Sequence, residues 1–350
     1  MSGWVAARVR LVVLMARPAL VLLLGSYACI GLAQHGNAQR LWLVAGALVV
    51  VVGYLLVSVV LNDLADAEVD RINLPGDRRR PLASGSAPAD LVVVAVVGGV
   101  LALGAAAALG WRVLAVLLVG LLVGAAYSLP PLRLSKRGAV ASLLLPLNVV
   151  GVPYLVGLLA GGGDVRRTDL VLLGGLYAAV IGRLLLKDFR DVRGDALLGK
   201  RTFLVRHGRV VTCRVSAALS VLGGGLLMAA VPDRTPALVG LYVVGLAAVV
   251  ALLRRLSRTT SPRDDTVLVG AIAVVGRGLV AGLLAHLAMR PLGWTAWQQA
   301  LTLLALGVLT AGLASDLLRH GPQVRGTAPA APAEADEADE SDEAARRTTR

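Results

Sequence analysis

The chain has 350 residues, of which 57% are hydrophobic, and it carries a formal net charge of +13. Its mean hydropathy of +0.75 excludes an ordinary soluble domain, because several runs of roughly 20 apolar residues match the thickness of a bilayer core. Lys and Arg fall between these runs, so membrane topology and anionic substrates explain the charge, and no nucleic-acid partner is expected. Cys29 and Cys213 lie in or beside apolar runs and indicate neither a disulfide framework nor a metal cluster.

Ten apolar segments follow one another and predict an all-α, polytopic transmembrane helical bundle in the lipid bilayer. They lie near residues 11–33, 41–61, 90–110, 112–129, 139–160, 169–187, 211–231, 236–256, 266–288 and 297–318. We therefore expect residues 1–320 to form one transmembrane domain. Residues 321–350 are rich in Ala, Pro, Asp and Glu without an apolar period, which predicts a disordered tail.

Lys and Arg are distributed unevenly among the loops. With the N-terminus on the cytoplasmic side, 28 of them lie on the cytoplasmic face and six in the outer turns, and Arg277 remains within a segment. Because cytoplasmic loops carry the excess of positive charge, the sequence predicts a multi-pass plasma-membrane protein. Its N-terminus and both acidic stretches described next would then face the cytoplasm.

Acidic residues are concentrated in two stretches that each leave an apolar segment. Residues 1–320 contain 15 acidic side chains, and eight of them are Asp63, Asp66, Glu68, Asp70, Asp77, Asp188, Asp191 and Asp195. Three side chains of each stretch recur at helical spacing: Asn62, Asp66 and Asp70 at i, i+4 and i+8, and Asp188, Asp191 and Asp195 at i, i+3 and i+7. Carboxylates stacked on one face repel each other, so each row favours a bound cation.

Oxygen ligands with open positions suit Mg²⁺, which keeps some waters and binds substrate phosphates. Two facing rows would hold a diphosphate through bridging magnesium, and the metal would neutralise charge on a diphosphate leaving group. A pair of solvated loop ends is the plainer alternative. A cation pathway is a third, but transport carboxylates usually lie in mid-span, whereas these lie at segment ends.

Basic residues that suit a diphosphate surround both acidic stretches. They are Arg71, Arg80, Arg133, Lys136, Arg183, Lys187 and Lys200. Any one of them also satisfies topology alone. Arg183 and Lys187 carry more weight, because they lie one turn apart on the face that also carries Asp191. Tyr127 is conspicuous in a chain with 4% aromatics, and it would either anchor at the interface or stabilise an allylic cation with its ring.

At these residues the sequence resembles the UbiA superfamily of intramembrane prenyltransferases. "NDLADAEVD" is similar to the family's NDxxDxxxD motif, and "DRINLPGDRRRPLASG" follows it with a small "DRR" insertion. "KDFRDVRGDALLGKRTF" is similar to the second, DxxxD motif, and "YSLPPLRLSKRG" to the intervening YSxPPxRLK segment with Ser135 inserted. Members have nine spans, so the resemblance implies nine core spans plus a tenth C-terminal helix that the family does not explain.

The resemblance implies Mg²⁺-dependent transfer of an isoprenyl group from a polyprenyl diphosphate to an acceptor. One magnesium would be held by Asn62, Asp66 and Asp70 and the other by Asp191 and Asp195, with Asp63 and Asp188 as supporting or extra ligands. The diphosphate would be gripped by Arg71, Lys136, Lys187 and Lys200. Ionisation of the C–O bond would give an allylic cation that the acceptor captures in a cavity kept from water.

The identity of the acceptor and the exact reaction stay open. The acceptor is either a small aromatic compound, such as a quinone or tetrapyrrole precursor, or a polar alcohol such as a glycerol phosphate. A phosphoribosyltransferase acting on a polyprenyl phosphate is an alternative. A terpene cyclase would need an aromatic-lined cavity, and the chain has only two Phe. A transporter would show internal repeats and mid-span carboxylates, which the sequence lacks.

Overall fold

The computed structural model describes residues 11–67, 87–136, 139–189, 202–259 and 261–321. Eleven α-helices lie within these ranges: α1 (Pro18–Gln34), α2 (Leu41–Ala65), α3 (Pro88–Leu109), α4 (Trp111–Ser128), α5 (Ala139–Pro146), α6 (Val152–Ala160), α7 (Arg167–Leu184), α8 (Phe203–Ala230), α9 (Pro236–Arg258), α10 (Pro262–Met289) and α11 (Ala296–His320). A π-helical turn, Leu147–Gly151, joins α5 to α6, and 3₁₀ turns lie at Leu134–Lys136, Lys187–Phe189 and Arg290–Leu292.

The predicted all-α polytopic bundle is confirmed. Across the described ranges, nine helical stretches are long and apolar enough to cross a bilayer, and α1 is a shorter apolar helix. Each of the ten predicted segments corresponds to one of these stretches, including the tenth, which is α11. The protein is therefore a multi-pass membrane protein. Residues 322–350 of the predicted tail lie outside the described residues, and the boundary at 320 stays a prediction.

Local sequence signals set several helix boundaries. Thr235, Ser261 and Thr295 each accept a hydrogen bond from a backbone N–H of the first turn that follows. Proline occupies the first turn of α9 and of α10, where its missing N–H costs nothing. Gly110, with φ of 126°, connects α3 directly to α4. These caps turn successive apolar segments into antiparallel neighbours.

Close approach of small residues packs the bundle. At the crossing of α7 and α8, a methyl group added to Gly175 would lie 2.9 Å from the carbonyl oxygen of Gly223. One added to Gly157 of α6 would overlap the backbone of Ala28 in α1. Glycine at such crossings lets backbones approach within van der Waals contact, which is how helices associate in lipid. The largest core cluster fills the middle of the bundle from α1 to α11.

Hydrogen bonds define the two ends of the bundle. His35, after α1, has its Nε2 3.0 Å from Oδ2 of Asp169 in the first turn of α7. The start of α7 therefore lies beside the loop that joins α1 to α2. The far ends of α2 and α7 must then lie together at the opposite face of the bundle. We call this face, which carries Asp66 and Asp188, the acidic end.

A second hydrophobic cluster lies under the acidic end. Its buried members come from the turn after α7, from α8, from the last turns of α9, from the first half of α10, and from α11: Leu186, Phe189, Leu204, Cys213, Val249, Leu253, Leu256, Leu268, Val269, Ile272, Val275 and Ala314. This cluster ties the segment that leads into the second acidic stretch to four later helices.

Candidate active site

The first acidic stretch begins on α2, as the sequence predicts. The helix continues to Ala65, and the N–H of Asp66 donates to the carbonyl oxygen of Asn62 at 3.0 Å. Asn62 and Asp66 are therefore one turn apart on the same side of α2. Asp70, the third member of the predicted row, lies outside the described residues.

Arg133 contacts the end of α2. Its Nη2 donates to the carbonyl oxygen of Ala65 at 2.6 Å and to Oδ1 of Asp66 at 3.0 Å. The residue has φ of 37°, a left-handed backbone conformation, in the loop after α4. Within the described residues, Oδ2 of Asp66 accepts no hydrogen bond. One oxygen of this carboxylate is thus oriented by Arg133, and the other remains for a ligand.

Asp63 is paired with a residue that the sequence analysis did not single out for the site. Nη2 of Arg17 lies 3.0 Å from Oδ1 and 3.4 Å from Oδ2 of Asp63. The Asp63 side chain is only 4% exposed, whereas Arg17 is 37% exposed. Arg17 interrupts the helix just before Pro18, with φ of 48°. In the sequence, the feature that could have identified Arg17 is its position as a single cation inside the first apolar segment, immediately before a proline.

The second acidic stretch begins in a 3₁₀ turn, not on a continuing helix. Helix α7 ends at Leu184, and Lys187, Asp188 and Phe189 form the turn that follows. The carboxyl-bearing residue Asp188 is buried, and Lys187 is exposed. Arg183 remains in the last turn of α7, so Arg183 and Lys187 belong to different elements.

Tyr127 lies at the acidic end and interacts electrostatically with both acidic stretches. It lies in the last turn of α4, and its hydroxyl is within electrostatic range of both Asp66 and Asp188. Side chains that are 122 residues apart in sequence therefore both act on this phenol electrostatically. Among the predicted site residues, the structure joins Asp66 and Arg133 by direct contact and places Tyr127 and Asp188 at the same end of the bundle.

Other predicted site residues lie outside the described residues and stay predictions. They are Asp70, Arg71, Arg80, Asp191, Asp195 and Lys200. The backbone of Lys136 is described as the end of a 3₁₀ turn, but its side chain is not.

An apolar cavity lies next to Arg183. Five helices line it: α1, α7, α8, α9 and α10. Its few polar groups include Arg183, Ser216, Tyr27 and Tyr242. The Tyr242 hydroxyl donates to the carbonyl oxygen of Leu279 at 3.2 Å. With its hydroxyl bonded in this way, Tyr242 contributes its aromatic ring to the cavity wall. A lining of this kind suits a hydrocarbon chain with a charged group held at the Arg183 side.

The donors at the acidic end fit magnesium in kind. Asn62, Asp66 and Asp188 offer carboxylate and amide oxygens, which are the ligands that hard divalent cations take. Among the described residues alone, no group of three or more metal-binding side chains is assembled. A complete site would therefore need the predicted ligands beyond Asp66 and Asp188 as well.

The fold and this end of the bundle define an integral membrane protein with a polar site at the edge of an apolar cavity. The model of the UbiA prenyltransferase family matches residues 22–275. The chain belongs to this family, and the resemblance seen in its motifs is confirmed.

Curated relatives match parts of the chain. The bacteriochlorophyll synthase 34 kDa chain of Chloroflexus aurantiacus is 33% identical over 162 residues, which is 45% of this chain and 50% of that protein. Digeranylgeranylglyceryl phosphate synthase of Methanopyrus kandleri is 30% identical over 229 residues, 65% of this chain and 80% of that protein. The match to the first of these relatives thus spans about half of its length.

Solved structures share the fold. One, from work on digeranylgeranylglyceryl phosphate synthase in membranes, aligns with a TM-score of 0.63 and 17% identity, over 81% of this chain and 99% of that chain. A UbiA homologue from Archaeoglobus fulgidus bound to GPP and Mg²⁺ aligns with a TM-score of 0.56 and 18% identity, over 79% and 99%. At this identity the likeness establishes the arrangement of helices.

Proposed function

We propose that this protein is a Mg²⁺-dependent prenyltransferase. It transfers an isoprenyl group from a polyprenyl diphosphate to an acceptor and releases diphosphate. The observation that carries the proposal is that Asp66, which Arg133 orients, and Asp188 lie at the end of the bundle where Arg183 lines an apolar cavity. Membership of the UbiA family and the GPP and Mg²⁺ bound to the Archaeoglobus homologue support it.

The acidic end supplies the groups that would hold the metal. Asn62, Asp66, Asp70, Asp188, Asp191 and Asp195 are the residues that we assign to this role, with Asp63 beside them. Bound there, Mg²⁺ would neutralise the charge that develops on the diphosphate as the C–O bond breaks. Arg133 fixes one oxygen of Asp66, so that the carboxylate is oriented before the substrate arrives.

Basic residues and Tyr127 act on the substrate itself. Lys187 and Arg183 lie on either side of the end of α7, and with Arg71, Arg80, Lys136 and Lys200 we assign them to the diphosphate oxygens. The ring of Tyr127 would stabilise the allylic cation through its negative face. The carboxylates of Asp66 and Asp188 act on its hydroxyl electrostatically and would favour a cation in this region.

The apolar cavity holds the prenyl chain and keeps water from the cation. Its wall is formed by helices that cross the bilayer, so a long chain would extend between them toward lipid. Water would otherwise capture the cation as an alcohol, and the desolvated wall favours the acceptor instead.

The acceptor that we propose is a small aromatic compound or a polar lipid precursor. The names of the curated relatives, a bacteriochlorophyll synthase and a digeranylgeranylglyceryl phosphate synthase, support one choice each. We further propose that the acidic end faces the cytoplasm at the plasma membrane, which the 28 to six distribution of Lys and Arg supports.

Direct assay of the purified protein in nanodiscs tests this function. Labelled prenyl diphosphates of several lengths are incubated with tetrapyrrole, quinone and glycerol phosphate acceptors, with Mg²⁺ or with EDTA. Metal-dependent diphosphate release coupled to a prenylated product is the expected result. Diphosphate release without an adduct under every acceptor would point to cyclisation, and no release from any donor would overturn prenyl transfer.

A further inference from the structure

Arg209 of α8 forms a cluster with groups from three other elements under the acidic end. Its Nη1 donates to Oδ1 of Asp265 at 2.6 Å, and its Nη2 donates to Oδ2 at 2.7 Å. Nη1 also donates to the carbonyl oxygen of Leu256 at 2.9 Å. Asp265 is only 4% exposed, so this two-bond pair is the main compensation for a buried charge. We call Arg209, Asp265, Leu256 and Phe189 the Arg209 cluster.

Phe189 is the fourth member of the Arg209 cluster. The Cζ atom of Arg209 lies 5.0 Å from the centroid of its ring, within the range of a cation–π contact. Phe189 is buried, and it directly follows Asp188 in the 3₁₀ turn. The guanidinium plane thus links the turn that carries Asp188 to the start of α10.

A break in α8 gives Arg209 this position. Gly208 has φ of 75° and ψ of 170°, which lie outside the helical region. Residues with a side chain rarely adopt this backbone conformation. The hydroxyl of Thr212 donates to the carbonyl oxygen of Gly208 at 2.8 Å, which caps the interruption. Arg209 therefore begins the long, regular part of α8, directly after the break.

We propose that Arg209 is a positioning residue that fixes the turn leading into the second acidic stretch. Leu256 and Asp265 belong to the ends of α9 and α10, and these two helices also form part of the cavity wall. By binding both and contacting the Phe189 ring, Arg209 sets the height of Asp188 relative to the cavity. The role of the second acidic stretch in binding metal rests on the proposed function. The connection of Arg209 to the turn that carries Asp188 rests on geometry alone.

Substitution by lysine separates this role from simple charge pairing. Arg209→Lys keeps a cation beside Asp265, but it loses the second parallel bond and the contact of the guanidinium with the Phe189 ring. Phe189→Leu keeps the ion pair and the apolar volume but removes the ring. Arg290→Lys is the matched control, because Arg290 donates to Asp233 at 3.0 Å in an exposed pair near the opposite end of the bundle.

Hydrogen–deuterium exchange of the metal-free protein in nanodiscs is the first readout. Arg209→Lys is expected to raise exchange of the amides of Leu186 to Phe189 about tenfold or more, Phe189→Leu less, and Arg290→Lys not at all. Mn²⁺ binding followed by electron paramagnetic resonance is the second readout. Loss of a group that orients metal ligands typically weakens metal affinity by about 10-fold to 100-fold, and we expect this for Arg209→Lys.

Each outcome of these two experiments supports or contradicts the proposal. Unchanged exchange in both Arg209→Lys and Phe189→Leu would overturn the proposal. Raised exchange with unchanged Mn²⁺ affinity would reduce the cluster to a packing role and overturn it as well. If Arg209→Lys fails to fold, Phe189→Leu gives both readouts. A wild-type protein that binds no Mn²⁺ would contradict the proposed function, and the exchange data would still decide whether Arg209 holds the turn.

Discussion

Arg133 donates to Asp66 and to the carbonyl oxygen of Ala65 with the same nitrogen, so it contacts both the last residue of α2 and the carboxylate that follows it. The two residues, Arg133 and Asp66, are 67 positions apart in the chain. The contact orients one oxygen of Asp66 without using the other. This places a cation and a carboxylate together at the acidic end before any ligand is bound.

Removing this contact should impair the reaction more than the fold. Arg133→Gln leaves Asp66 without its partner, and we expect kcat/KM for the prenyl diphosphate to fall by about 100-fold, the typical loss for one charge-orienting donor. Steady-state kinetics in nanodiscs measure this. Arg112→Gln is the matched control, since Arg112 pairs with the exposed Asp164 near the opposite end. Equal losses in both variants would contradict a specific role for Arg133.

Loss of either acidic carboxylate should abolish turnover. Asp66→Asn and Asp188→Asn keep the side-chain shape but remove the charge, and we expect product formation to fall by about 100-fold or more. Size-exclusion profiles and thermal unfolding report whether the protein remains folded. Asp164→Asn should behave as wild type, because that side chain is 94% exposed. Full activity in either acidic variant would contradict the metal assignment.

The ring and the hydroxyl of Tyr127 can be separated. If the aromatic face stabilises a desolvated cation, Tyr127→Phe should retain most activity, whereas Tyr127→Leu should lose about 2 kcal/mol, or roughly 30-fold in rate. Single-turnover rates of diphosphate release measure the chemical step directly. Equal activity of the Leu and Phe variants would assign Tyr127 to anchoring at the membrane interface.

Packing of α1 against α6 can be tested by one methyl group. Gly157→Ala places a Cβ against the backbone of Ala28, and such overpacking typically costs about 1–3 kcal/mol. Thermal unfolding in detergent should show a lower midpoint. Gly174→Ala is the control within α7, because an added Cβ there meets nothing within 4 Å. That substitution should leave the midpoint unchanged or raise it through better helix propensity.

Much of the fold could be predicted, because a bilayer imposes a simple rule on sequence. A span must satisfy its backbone internally, so apolar length is enough to identify helices, and all ten segments were found. The second acidic stretch was harder. Its i, i+3, i+7 spacing suggests a helical row, yet α7 ends at Leu184 and Asp188 lies in a 3₁₀ turn. Leu186 and Phe189, which flank this turn, pack into the second hydrophobic cluster. The spacing of the acidic residues does not predict this packing.

The sequence by itself determined the class of the protein. Apolar runs specify membrane helices, and two carboxylate motifs in order specify the family, since both are encoded in residues close together along the chain. Only the tertiary structure decided which distant groups meet: Arg17 with Asp63, Arg133 with Asp66, Arg209 with Asp265. Topology alone predicts cations on the cytoplasmic side of the chain. The partner of each cation is chosen by helix crossings and by single kinks such as Gly208, and these depend on contacts between segments that are far apart in sequence.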